Sequence, residues 1–324
     1  MNSLLAVFRF EFNRIMTPGR AVWWLLVVAF PVLITILIRT HVEPQLTRGP
    51  NRPSMSSAAR QEMQKAFEAS MAADQERFRR GEITREQLER NRRFYTSGMG
   101  QPPRNVGMTP QQLSSFYTIV IYFLAPSVAC MLGALLTAAP SVASELEQHS
   151  WTYLATRPNG LFHLVMGKFL VAWLWAGSST VLGVLLSLPF ARIESTVQNG
   201  GMLVLLSIVS AASYSALYTM IGTLFPQRAM VFCVAYTAGV EMFLGTIPAV
   251  VNRLTIQYRL RSLLYHGVEI VDLPTDFLQR VVASSQSAFT QVFWLTTLVA
   301  IFLAVALTTV QVREFTTAAE GEMS

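Results

Sequence analysis

Six long apolar runs alternate with polar segments along this chain, at about 21–39, 115–139, 162–189, 201–224, 229–251 and 291–312. Each approaches or exceeds the roughly 20 residues that a helix needs to cross a bilayer. Only helices and closed barrels satisfy every backbone group in lipid, and the alternating strand pattern of a barrel does not occur here. The pattern predicts an all-α integral membrane protein with six transmembrane helices, TM1 to TM6 in that order.

Residues 1–20 read as an interfacial helix. Leu4, Leu5, Phe8, Phe12 and Ile15 form a stripe at helical spacing, with Arg9, Asn13 and Arg14 elsewhere on the wheel. Phe10 and Glu11 fit that stripe poorly. Thr17-Pro18-Gly19 breaks the helix, and Trp23-Trp24 anchors the start of the first span. The alternative is a plain extension of that span. No small-residue cleavage site follows it, so the span is expected to be a retained anchor.

Charge gathers between the first two spans. Residues 42–114 hold 12 of the 25 Lys+Arg and 8 of the 19 Asp+Glu, which is +4 of the net +6. Met63, Phe67, Met71 and Phe78 give one apolar stripe, Gly81 ends it, and Thr84-Arg85-Glu86-Gln87 reads as a capping box opening a second helix. The segment 40–114 is therefore expected to be an extracytoplasmic helical hairpin. Its arginine clusters, Arg79-Arg80 and Arg92-Arg93, suit a solvated face near lipid headgroups. They lack the interleaved aromatics of a nucleic-acid site, and no nucleic-acid partner is expected.

Short-loop basic residues number seven on the N-terminal side and six on the other, which does not orient the chain. Both termini, including the 313–324 tail, are assigned to the cytoplasm on six spans and an N-inside start. Residues 252–290 then form an extracytoplasmic loop with short re-entrant or surface helices, turning at Pro274 between Asp272 and Asp276.

Little catalytic chemistry is legible. Cys130 and Cys233 both fall in apolar runs, and His41, His149, His163 and His266 show no metal-ligand spacing. No Gly-x-Ser-x-Gly elbow is present. Gly160 to Gly167-Lys168-Phe169 has the wrong spacing for a phosphate-wrapping loop and lacks its hydroxyl, so Lys168 reads as snorkelling to the headgroups. The chain is expected not to be an enzyme, and to bind no cofactor or metal directly.

The most informative polar segment joins the second and third spans, at 140–161. Ser144-x-x-Glu147 reads as a capping box, Glu145 and Glu147 fall in a first turn, and Pro158 stops the helix. A surface helix with no partner is the plain alternative. The stretch Ser144-Glu145-Leu146-Glu147, Tyr153-Leu154, Arg157-Pro158 and Gly167-Lys168-Phe169-Leu170 resembles the cytoplasmic connector of ABC-2 type transporter permeases. Gln148-His149-Ser150 stands where many members carry a basic residue and Gly-Thr. A second stretch, Glu241 to Pro248 followed by Arg253-Leu254 and Tyr258 to Leu263, is similar to the fifth-span region of part of that family.

The resemblance implies a half-transporter in a plasma membrane, the bacterial inner membrane for a bacterial chain. It would pair with a second permease copy or a homologous permease, and a separate ABC ATPase would carry ATP and Mg. The connector would be the coupling helix, with Glu145, Glu147, Trp151 and Arg157 toward the ATPase. Glu241, inside the fifth span, either lines a polar pathway or is satisfied by neighbours such as Tyr214 and Tyr218. Two other classes stand beside this reading: an intramembrane hydrolase, which the missing catalytic pairing disfavours, and a non-transporting scaffold or mechanosignalling subunit, which the large 42–114 loop favours.

Overall fold

The structure, a computed structural model, describes residues 2–15, 17–48, 57–81, 83–84, 87–89, 108–147, 160–243, 255–268 and 287–312. Every regular element among them is helical. The chain divides into two compact units, Met1–Thr40 with Pro110–Ser324, and His41–Thr109.

In the first unit α1 (Asn2–Ile15) precedes α2 (Pro18–Leu37), whose start carries Pro18 in the first turn, where a missing N–H costs nothing. A π turn, Ile38–Val42, follows α2, and α3 (Glu43–Arg48) belongs to the second unit. Five helical stretches are long and apolar enough to cross a membrane: Pro18–Thr47, Pro110–Ser141, Gly160–Phe190, Thr196–Leu224 and Ala288–Val312. They coincide with the first, second, third, fourth and sixth predicted spans. The fifth, 229–251, is described only as an 8-residue helix, Ala229–Tyr236, and a 7-residue π turn, Thr237–Phe243. The rest of that span lies outside the described residues.

The second span comprises α5 (Pro110–Tyr122), a π turn (Phe123–Ala129) and α6 (Cys130–Glu147), α4 (Ser57–Arg79) being in the other unit. Pro126 lies within the π turn and has no N–H to give. Its carbonyl accepts a hydrogen bond from Ser210 of α8 (Thr196–Leu224). With α7 (Gly160–Ser187), helices α6 and α8 form the core.

Small residues make that packing possible. Ser207, Ser210, Ala211, Ser213, Ser215 and Ala216 are all fully buried on α8. A Cβ on Gly177 of α7 would stand 3.5 Å from that of Ala211, and one on Gly133 of α6 would meet Ala176 at 3.5 Å. Apolar lipid drives helices together weakly, so close backbone approach is the main source of their association. Ser207 and Ser213 donate to carbonyls of their own helix at 2.9 Å, Ser210 reaches Pro126 O across helices, and Ser215 Oγ has no partner.

The helix 256–267, here α10 after α9 (Ala229–Tyr236), is no surface helix. Eight of its 12 residues are buried, including Arg259 and Arg261, and it packs on α8 and α11 (Ala288–Val312).

In the second unit α4 ends as its sequence predicts. Gly81 takes φ +74°, and its N–H reaches Phe78 O at 3.0 Å. Thr84 N donates to Gln87 Oε1 at 3.0 Å while Gln87 N donates to Thr84 Oγ1 at 3.4 Å, the reciprocal bonds of a capping box. The helix it opens is described only at residues 87–89.

Candidate functional site

Two polar constellations stand out in a unit built mostly of apolar helices. The first joins α1 to α7. Val7, Phe8 and Glu11 share one face of α1, at i, i+1 and i+4. Phe8 packs against the cluster formed by Val27, Ala129, Val171 and Trp175. A Cβ on Gly167 would stand only 2.9 Å from Val7 Cγ1, so glycine there lets α1 lie directly on α7. Lys168, the next residue, donates to Glu11 Oε1 at 3.1 Å, and both side chains are buried. This overturns the snorkelling expected for Lys168: its charge is turned into the protein. It also explains why Glu11 breaks the apolar stripe and why Phe10, at 65%, is exposed.

The connector lies between α6 and α7. The sequence predicts a new helix beginning at Ser144, but α6 runs unbroken from Cys130 to Glu147. Ser144 to Glu147 is therefore the last turn of a long helix and not a first turn, and the N-terminal dipole argument for the two glutamates does not hold. Glu145 and Glu147 sit in that last turn. Trp151 and Arg157 lie outside the described residues, as does the remainder of the connector up to Gly160.

The second constellation surrounds Glu241, in the π turn Thr237–Phe243. Its carboxylate is buried and accepts four hydrogen bonds. Ile256 N donates to Oε1 at 3.1 Å and Gln257 N to Oε2 at 3.0 Å. Tyr214 Oη donates to Oε2 at 3.2 Å and Tyr236 Oη to Oε1 at 3.4 Å. Four donors converge on its two oxygens, which fills the acceptor capacity of the group.

Two of those donors open α10. Thr255 caps the same helix, its Oγ1 accepting from Tyr258 N at 3.2 Å. Between them, Glu241 and Thr255 take three of the four N–H groups that a helix start leaves unpaired, and the carboxyl group lies at the positive end of the helix dipole. Gln257 extends the network. Its Nε2 donates to Tyr214 Oη at 2.9 Å and to Ser127 Oγ at 2.7 Å, and its Oε1 accepts from Tyr122 Oη at 3.2 Å. Tyr214 thus receives from Gln257 and donates to Glu241. Six segments meet here: α5, its π turn, α8, α9 through Tyr236, the π turn bearing Glu241, and α10.

Of the two tyrosines expected beside Glu241, Tyr214 bonds it and Tyr218 does not, pairing with Thr237 Oγ1 at 2.7 Å. Sequence reasoning missed the backbone of α10 and the Gln257 relay. Thr255, an N-cap residue type directly before Ile256, was the available sign of a helix start.

A family model described as ABC-2 family transporter protein matches residues 5–318. Comparison with curated proteins and with solved structures finds no match. The match spans nearly the whole sequence, so the chain belongs to the ABC-2 transporter family and is a multi-pass membrane protein.

Proposed function

We propose that this ABC-2 family chain is the permease subunit of an ATP-driven transporter and works with a separate ABC ATPase. ATP and Mg bind on that partner, and hydrolysis takes place there. The chain pairs with a second copy or a homologous permease, and its termini face the cytoplasm of a plasma membrane. The observation that carries this reading is the family match across residues 5–318.

The fifth span begins in α9 and the π turn of Glu241, which makes the count six. The connector between α6 and α7 meets the ATPase through Glu145, Glu147, Trp151 and Arg157. Closure of the ATPases around ATP pushes the connector, and α7 receives the push at Gly160. Because Glu11 and Lys168 tie α1 to α7 eight residues further on, the two helices tilt together. A ligand moves such an equilibrium only by binding its two states unequally, and ATP on the partner meets that condition.

The test is co-purification in detergent with an ABC ATPase encoded beside this chain, comparing wild type with Glu145→Ala/Glu147→Ala. Binding that the double variant loses, and ATPase activity that only the wild type stimulates, supports the reading. A folded wild type that binds no ATPase overturns it.

A non-transporting scaffold or mechanosignalling subunit on the same architecture is the second reading. The separate helical unit His41–Thr109 favours it. Flux in proteoliposomes containing the complex separates the two, since a signalling subunit gives ATP turnover without substrate movement.

A further inference from the structure

An arginine that pairs with no carboxylate among the described residues lies where α10 meets the start of the last span. Arg259 is 5% exposed, yet its Nε has no hydrogen-bond partner. Nη1 donates to a neutral acceptor, Gln291 Oε1, at 3.3 Å, and the guanidinium carbon stands 5.1 Å from the ring centre of Trp294. The carboxylate of Glu241 is taken up by the start of α10, and among the described residues none pairs with Arg259. One turn along α10, Ser262 Oγ is likewise buried without a partner. Gln and an aromatic face offset only part of the cost of removing a cation from water, and such a group calls for an anion.

The surroundings limit what that anion is. Gln291 and Trp294 lie in the first two turns of α11, the level at which a span leaves the interface and where Trp is favoured. Trp294 is 44% exposed, and Phe289 and Phe293 beside it are more so. From Phe293 a shallow groove of about 440 Å³ follows α11 past Thr297, Ala300 and Ile301 to Ala304, with an almost wholly apolar lining. At about 1.5 Å per residue it descends roughly 16 Å toward the membrane interior. A soluble anion has no use for such a groove. An acyl chain does.

We propose that Arg259 and the α11 groove form a binding site for an anionic phospholipid. The guanidinium takes two phosphate oxygens in its planar fork, Ser262 supplies a hydroxyl, and one acyl chain lies along Phe293 to Ala304. Trp294, whose ring lies over the guanidinium, swings aside to admit the headgroup. This site stands independently of the ATPase and of which substrate is moved.

The test is native mass spectrometry of the full chain in detergent with equimolar phosphatidylglycerol and phosphatidylcholine. Wild type is expected to retain phosphatidylglycerol over phosphatidylcholine. Arg259→Gln should reduce that retention about tenfold, the worth of a charge-assisted hydrogen bond. Arg39→Gln, at an exposed arginine bonded to Pro189 O and Phe190 O, should leave it unchanged. Equal retention of the two lipids by wild type overturns the proposal, and this arm needs no variant to fold. Loss of lipid equal in Arg39→Gln and Arg259→Gln assigns the effect to general surface charge and also overturns it. Displacement of phosphatidylglycerol by millimolar inorganic phosphate alone would make this a free-anion site, which the proposal excludes.

Discussion

Glu11 and Lys168, 157 residues apart in sequence, form a buried ion pair at 3.1 Å that fastens the N-terminal helix to the start of the third span. Apart, each charge is out of place, one in an apolar stripe and the other in a membrane helix. Together they neutralise each other, and Gly167 gives the helices the closeness the pair requires.

Removing one partner leaves the other charged and buried, at a cost of about 3–5 kcal/mol. Glu11→Gln and Lys168→Met should each lower the thermal midpoint of the detergent-purified chain substantially. Glu11→Gln/Lys168→Met should recover most of the loss, because two neutral side chains of similar size fill the same space. Thermal unfolding followed by size-exclusion fluorescence checks this. A double variant as unstable as the sum of the singles would mean that the two residues act separately.

Gly183 tests the packing of the first span on the third. A Cβ there would stand 2.9 Å from Pro31 Cγ and 3.3 Å from the carbonyl oxygen of Val28, and neither atom can easily move, one being in a ring and the other in a helix backbone. Gly183→Ala should destabilise by about 1–3 kcal/mol, as overpacking does. Gly201→Ala, at a helical glycine with nothing within 4 Å of the added methyl, should be neutral or stabilise by up to about 1 kcal/mol. The same unfolding assay on both variants decides whether contact or helix propensity governs.

These two sites show what is legible in sequence and what is not. Six spans read directly in sequence because each is an apolar run long enough to dominate its window. In the fifth, Thr237, Gly239 and Glu241 interrupt the run, the helix passes into a π turn there, and the remainder lies outside the described residues. The second span reads as one helix in sequence, yet Pro126 loosens its middle as well. Glu11 looked like a flaw in a stripe because its partner is a third-span lysine that no local window contains. Ser144 looked like a cap because Ser-x-x-Glu is a cap pattern, whereas Pro140 did not stop α6 and the helix ran on to Glu147. Glu241 was found as an intramembrane charge, but its main partners are backbone groups of a helix 15 and 16 residues away.

The cap after α4 gives a local prediction in the His41–Thr109 unit. Gly81 at φ +74° has open space around it, so Gly81→Ala costs only backbone strain, roughly 1–2 kcal/mol. Thr84→Ala removes the oxygen that receives Gln87 N, worth about 1 kcal/mol. Hydrogen exchange of the intact protein should quicken at 76–81 in the first variant and at 87–88 in the second. Unchanged exchange in both would mean that neither cap closes its helix in solution.

Glu241 offers the sharpest test because its two roles separate in one series. Glu241→Ala leaves Ile256 N, Gln257 N and Tyr214 Oη without their acceptor, and each buried unpaired donor costs about 1–3 kcal/mol. Glu241→Gln keeps one acceptor oxygen but gives up the charge at the helix start, and turns an NH₂ toward at least one donor. Stability should therefore fall in the order wild type, Gln, Ala. Gln257→Leu, which breaks the bonds to Tyr122, Ser127 and Tyr214 but leaves both backbone bonds to Glu241, should cost less than Glu241→Ala. If the carboxylate serves only to cap α10, transport by Glu241→Gln, measured at a temperature where it stays folded, should match wild type per folded molecule. If the capped start of α10 must release and re-form during transport, ATP turnover should persist in Glu241→Gln while flux drops. That uncoupling is the expected result, since the carboxylate ties Tyr214 of the fourth span and Tyr236 of α9 to the start of α10, and a rearrangement among these three breaks some of its four bonds.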